Sequence, residues 1–221
     1  MAVIQRTARV LFQGDSITDG GRSKHADQDP NPACQSIELG CGYACIAGAQ
    51  LAHEYAEGPI WIRNLGISGN RIVDLAARAQ EHIWNHAPTL LSILIGVNDT
   101  WHHFRRGAGV DIDRYKRSYR DLLTDTKRHC PDVQFVLGEP FTLPCGVVEP
   151  SWQDDIAPRQ TAVAELAHEF NALFVPYQSA FDKACQRAPA HYWAADGVHP
   201  TPAGHYLMAQ LWLDVVKSSG G

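Results

Sequence analysis

The sequence predicts an α/β fold, a three-layer α/β/α sandwich built on a parallel sheet, and three observations carry that expectation. Five short apolar runs rich in β-forming residues recur along the 221 residues. Each is followed by a loop and then by a segment whose apolar residues recur at helical spacing. Parallel strands need long crossover connections, and helices alternating with strands supply them on both faces of a sheet.

The first run is Val10 to Gln13, followed by Gly14-Asp15-Ser16-Ile17-Thr18 and then by Arg22 to Ala33, a polar stretch with Pro30 and Pro32 that reads as a surface loop. Helical spacing covers Gln35 to Tyr55, and the second strand is Ile60 to Asn64. A helix over Ile72 to His86 stops before Pro88, and Leu90 to Ile95 is the third strand. Arg114 to His129 is helical, with Pro131 just beyond, and Gln134 to Gly138 is the fourth strand. Pro140 to Pro158 has no clear period and reads as a second long loop, bordering the pocket. A helix over Arg159 to Asn171, a strand over Ala172 to Val175 and a last helix over Pro202 to Lys217 complete the set. Pro202 stands where an N1 proline follows its cap, here Thr201. With no repeat and no low-complexity linker, residues 1–221 read as one domain.

Composition narrows the function. A formal charge of -5 opposes broad attraction to nucleic acid or to an anionic membrane, both of which need a basic field. The short basic runs Arg105-Arg106 and Lys127-Arg128-His129 read as solvated faces. No run of about 18 apolar residues predicts a transmembrane helix, and Met1 to Arg9 lacks the apolar core of a signal peptide, so the chain reads as cytoplasmic. The six cysteines form no CxxC pair and are expected as free thiols.

Open α/β sheets hold ligands at the carboxyl ends of their strands. There the sequence places Gly14-Asp15-Ser16-Ile17-Thr18, Gly66-Ile67-Ser68-Gly69-Asn70 and Gly96-Val97-Asn98-Asp99, and just before the last helix Asp196-Gly197-Val198-His199-Pro200. In this order and at these positions the blocks resemble those of the SGNH (GDSL-type) hydrolases, named for Ser, Gly, Asn and His.

The chemistry accounts for these residue types. A serine hydroxyl needs a base to become a nucleophile, and His199 can take the Ser16 proton and later return it to a leaving alkoxide. Asp196, three residues earlier, can reach Nδ1 of that ring and fix its tautomer. Pro200 biases His199 towards an extended backbone, which keeps the base on a loop. The resemblance further implies an oxyanion hole from the backbone N–H groups of Ser16 and Gly69 and the side-chain amide of Asn98. Glycine at 69 suits a backbone that takes positive φ. Read singly, Ser16 is better suited to cap a helix; the four blocks together reverse that reading.

Within that superfamily the chain is similar to intracellular acetylxylan esterases that deacetylate xylo-oligosaccharides. The likeness runs from about Val10 to Leu213 and includes Gly42-Tyr43-Ala44, Ile95-Gly96-Val97-Asn98-Asp99-Thr100-Trp101 and Ala180-Phe181-Asp182. It implies a flavodoxin-like five-stranded parallel sheet, a small acetylated carbohydrate or other short-chain ester as substrate, an acyl-serine intermediate, no metal or organic cofactor, and a homo-oligomer. Trp101, His102 and Trp193 are expected at the substrate, with core packing as the competing role for the tryptophans.

Three other readings stay open on sequence: a general short-chain carboxylesterase or lysophospholipase-like enzyme with the same Ser-His-Asp set, a non-catalytic sugar-binding module, and a metal-dependent mechanism. His82 and His86 have i, i+4 spacing, but the glutamate of HExxH is absent, so they read as surface histidines. Asp15 and Asp99 read as structural carboxylates bonded to neighbouring loops.

Overall fold

Side chains alternate across a strand. Here Val10, Phe12, Leu90, Leu94 and Val136 enter one buried cluster, while Leu11, Leu91, Ile93, Phe135 and Leu137 enter another on the opposite face. A sheet apolar on both faces needs helices on both, which is the architecture of the computed structural model, describing residues 4, 8–24, 36–58 and 60–218. Strands β1 (Arg9–Gly14), β2 (Trp61–Asn64), β3 (Leu90–Leu94), β4 (Gln134–Gly138) and β5 (Leu173–Val175) form a parallel sheet in the order β2-β1-β3-β4-β5. This is the expected five-stranded sheet. The chain leaves β1 for one edge and returns to its other side as β3, so a crevice opens between the carboxyl ends of β1 and β3.

The helices are α1 (Ser16–Asp19), α2 (Ser36–Leu39), α3 (Tyr43–Glu54), α4 (Ile72–Ala77), α5 (Ala79–His82), α6 (Val97–Arg106), α7 (Ile112–His129), α8 (Gln153–Glu169), α9 (Tyr177–Cys185), α10 (Ala190–Trp193) and α11 (Pro202–Ser218). Helices α3 and α11 pack together on one face, and α11 is locked to the sheet where the buried Trp212 Nε1 donates to Ser92 Oγ at 3.0 Å. Helices α4, α7 and α8 cover the other face.

Several expectations need correction. The helix expected over Gln35 to Tyr55 is two, interrupted at Gly40 and Gly42, and the one over Ile72 to His86 is α4, α5 and a 3-10 turn at Trp84–His86. Helix α7 begins earlier than Arg114, because Asp111 caps it by accepting from the Arg114 N–H at 2.8 Å. Pro158 does not end a loop but lies inside α8; it removes one internal donor, a cost offset by burial of Ile156, Arg159 and Val163 along the same helix. Residues 25–33 of the expected surface loop, the residue Gln35 and the thiol of Cys34 lie outside the described residues. The other five cysteines are free, as expected. Among the described residues, no helix is long and apolar enough to cross a membrane.

Candidate active site

At the end of β1 the chain turns directly into α1. Asp15 is the N-cap, its Oδ1 accepting from the Ile17 N–H at 3.0 Å. The capping role open to Ser16 therefore falls to its neighbour, and Ser16 becomes the first residue of the helix with its hydroxyl turned out. Its Oγ lies 2.9 Å from His199 Nε2. On the other side of that ring, Nδ1 lies 2.7 Å from Asp196 Oδ2. Residues 183 apart in sequence thus form one hydrogen-bonded series.

The loop carrying the last two is shaped by its own backbone. Asp196 Oδ1 accepts from the N–H groups of Val198 at 2.9 Å and His199 at 2.7 Å. Pro200 pairs with Ala194 in an isolated antiparallel bridge, which holds His199 extended just ahead of α11. Thr201 caps α11 as expected, its Oγ1 accepting from the Gly204 N–H at 3.3 Å. Burial alone would push the Asp196 carboxyl up, but the bonds from the His199 ring and from the backbone N–H groups of His199 and Val198 together hold it below the usual carboxylate range. It therefore stays ionised opposite the imidazole. With a carboxylate on Nδ1, Nε2 is left to accept the serine proton.

Gly69 follows β2 with φ at 83°, as its place in a close turn predicts. Asn98 stands in the first turn of α6, its Nδ2 donating to the Asn70 carbonyl at 3.2 Å. Among the described residues, neither the Ser16 nor the Gly69 backbone N–H has a protein acceptor. Ser16, Gly69, Asn98 and His199 share one pocket of 240 Å³.

A model of the GDSL-like lipase/acylhydrolase family matches residues 12–207. The chain belongs to that family. An acetylxylan esterase of Geobacillus stearothermophilus is 34% identical over 215 residues, which cover 93% of this chain and 92% of that protein. The solved structure of an acetylxylan esterase from the same organism superposes with a TM-score of 0.82 at 34% identity, covering 95% of this chain and 94% of the other. A provisionally described GDSL-like lipase from Parabacteroides merdae gives 0.91 at 39% identity over 98% and 99% of the two chains. Two solved variants of the Geobacillus enzyme are catalytic mutants, one with a serine and one with an aspartate changed to alanine. The present chain is a carboxylic ester hydrolase with the SGNH α/β fold.

Several residues of this GDSL-like hydrolase that support the pocket gave no signal in the sequence. Asp19, at the end of α1, accepts from the Ser68 N–H at 3.1 Å and from the Arg22 N–H at 3.2 Å, tying the Gly69 turn to the serine helix. Arg78 reaches Asn70 Oδ1 at 2.7 Å, Gln13 Oε1 at 2.9 Å and the Leu65 carbonyl at 2.9 Å, a strut beneath the same turn. Arg159, 1% exposed, donates to Thr100 Oγ1 at 3.1 Å and to the Val110 carbonyl at 2.7 Å, fixing the base of α6. Asp99 accepts from the Ile72 N–H at 3.2 Å, the structural bond expected of it. Burial pushes Asp99 up to about 7 despite Arg159 and that N–H. Asp15 is likewise raised by burial to about 7 against the Ile17 N–H and His199.

The irregular stretch after β4 braces the Asp196 loop from behind. The Leu143 N–H donates to the Gly197 carbonyl at 2.8 Å, the Val147 N–H to the Asp196 carbonyl at 3.0 Å, and the Cys145 thiol to the Ala194 carbonyl at 3.3 Å.

Trp101 and His102 line the pocket, and so do Ser68, Arg105 and Arg106. Trp193 does not. Its indole is 6% exposed, donates Nε1 to the Ala188 carbonyl at 3.2 Å and belongs to the core, which is the competing role the sequence offered. His82 and His86 are half-buried rather than surface residues: His82 Nδ1 lies 3.1 Å from Arg78 Nη1, and the His86 ring packs 5.7 Å from Trp61. Among the described residues no group of three or more His, Cys, Asp or Glu side chains is placed to hold a metal ion.

Proposed function

We propose that this hydrolase removes acetyl groups from small acetylated carbohydrates, such as xylo-oligosaccharides, through an acetyl-Ser16 intermediate. The observation that carries the reading is the Ser16–His199–Asp196 series, with contacts of 2.9 and 2.7 Å. As Ser16 Oγ attacks the acyl carbon, its proton passes to His199 Nε2, and the imidazolium is stabilised by Asp196. Negative charge gathers on the former carbonyl oxygen, facing the N–H groups of Ser16 and Gly69 and the Asn98 amide, each such donor contributing about 3 kcal/mol to transition-state binding. Collapse of the tetrahedral species breaks the bond to the sugar oxygen, which leaves with the His199 proton. Water then repeats the sequence on the acetyl-serine: His199 takes its proton, the hydroxyl adds to the acyl carbon, and acetate departs as Ser16 regains its hydrogen.

Pocket size and lining support a short acyl group. The volume is 240 Å³, and among the described residues Trp101 is the sole large apolar one of the wall, so a long acyl chain finds little apolar surface. The acetylxylan esterase relative supports the carbohydrate side of the reading. The test compares p-nitrophenyl acetate, butyrate and octanoate with acetylated xylose, and maps a fluorophosphonate label by mass spectrometry. Label on Ser16, decline with chain length and a loss of about 10⁴-fold or more in Ser16→Ala are expected. Preference for octanoate would point to the lipase-like alternative, and full activity of Ser16→Ala would remove the mechanism.

A further inference from the structure

The pocket mouth is basic although the whole chain carries a formal charge of -5. From Asn98, helical spacing of three, four, seven and eight residues brings Trp101, His102, Arg105 and Arg106 onto one face of α6, and all five line the pocket. Among the described residues no acidic side chain lines it. The Arg105 guanidinium lies 5.5 Å from the centre of the Trp101 ring, and that ring lies 5.6 Å from His199, so one aromatic ring separates the charge from the imidazole. Among the described residues neither Arg105 nor Arg106 forms an ion pair or hydrogen bond.

Two simpler uses of these cations are already filled. The C-terminus of α6 is already closed by its own backbone, the His102 and His103 carbonyls accepting from the Ala108 and Gly107 N–H groups across a left-handed Gly107, so the cap does not depend on the arginine forks. The neighbouring Arg71 is matched by Asp74 at 2.9 Å and leaves no spare carboxylate for them. Burial first, and then Arg71 and Arg106, hold His102 below its usual pKa, so that ring adds hydrogen-bonding capacity rather than charge. Two unmatched guanidinium groups then face whatever extends out of the pocket beyond the scissile ester.

We propose that the preferred substrate carries a carboxylate on the alcohol side of the ester, an acetylated uronate or an acetylated oligosaccharide bearing one, held by Arg105 and Arg106. This rests on the acetyl-ester reading of the same pocket. A guanidinium fork matches a planar carboxylate with two parallel N–H···O bonds. A neutral sugar would leave both arginines unused.

The test measures kcat/KM for three matched acetyl esters, of a methyl glucoside, of the corresponding methyl glucuronoside and of the glucoside 6-phosphate, in low salt and in about 0.5 M salt. The glucuronoside should lead the neutral ester by about tenfold in low salt, and the lead should shrink to about twofold in high salt as screening sets in. In Arg105→Gln/Arg106→Gln the ratio should fall to about one. The Arg105→Lys/Arg106→Lys protein, which keeps charge but not the fork, should recover part of it. Equal rates on neutral and uronate esters in the parent protein, or a ratio untouched by the double substitution, would overturn the proposal. A phosphate lead exceeding the uronate lead would overturn the carboxylate assignment. Failure to hydrolyse any of the three, or p-nitrophenyl acetate, would instead overturn the esterase reading beneath it.

Discussion

Gly146 lies against the backbone of Asp196 so closely that a Cβ at position 146 would stand 2.4 Å from the Asp196 Cα and 2.5 Å from its carbonyl oxygen. Its φ of 62° also disfavours any side chain. The Asp196 backbone must move if this residue acquires a methyl group, and the carboxylate moves with it. Gly146→Ala should lower kcat on p-nitrophenyl acetate by about 10- to 100-fold with KM changed less than about twofold. Circular dichroism should show the fold retained. An unchanged kcat would mean that the segment after β4 does not position the aspartate.

Asp19 is 5% exposed, and each of its oxygens accepts one backbone N–H. Asp19→Asn puts an amide donor against one of these donors and should release the Gly69 turn. Under the proposed mechanism a loss of about 10- to 100-fold in kcat/KM is expected, the scale of weakening one oxyanion donor. Lys24→Ala is the control: that amine is 3.8 Å from Asp19 and 55% exposed, so its removal should change stability and rate very little. Equal losses in the two variants would show that the Asp19–Lys24 ion pair, which both remove, and not the backbone hydrogen bonds of Asp19, governs the turn.

His205 Nδ1 accepts from the Tyr43 N–H at 3.2 Å and so closes the first turn of α3 from a different helix. Burial, and then the neighbouring His199, hold its pKa down to about 4 from 6.5. Between those values the unfolded ring binds a proton that the folded ring refuses, so the stability this neutral histidine contributes is complete above 6.5 and is lost as pH falls towards 4. In His205→Gln the amide oxygen can take the same N–H without titrating. Urea unfolding at pH 7 and 4.5 should show the parent losing about 2 to 3 kcal/mol relative to the variant. A difference that does not move with pH would mean that the ring is protonated in the folded state.

The strands and the turns after them were legible because both depend on local signals. Apolar runs such as Val10 to Gln13 and Leu90 to Ile95, bounded by Gly14 and Gly96, mark strands buried on both faces. Helix α6 was not legible. Its residues Val97 to Arg106 are mostly polar, and the only large apolar side chains, Val97, Trp101 and Phe104, hold i, i+4, i+7 spacing over too short a run to stand out beside the motif that opens it. Arg105 and Arg106 are exposed, as a solvated run should be; that they also line the pocket follows from their spacing from Asn98 only once the helix is known. Helix α8 lost its first turns to a literal reading of Pro158. Arg159, Asp19 and Arg78 had no local signal at all, because what defines each is a partner brought near by the sheet. Trp193 shows the opposite error, where closeness in sequence to Asp196 suggested a pocket residue and the packing placed it in the core.

Trp212 holds the last helix to the middle of the sheet, and this sets when the protein becomes chemically competent. Ser16, Gly69 and Asn98 all emerge early in synthesis, whereas His199 and its carboxylate partner come after β5, just ahead of the helix that Trp212 secures. Under the proposed mechanism a partly made chain carries an inert alcohol and nothing to deprotonate it. The enzyme is thereby silent until α11 docks on the sheet, and the onset of hydrolysis doubles as a marker that this packing has formed.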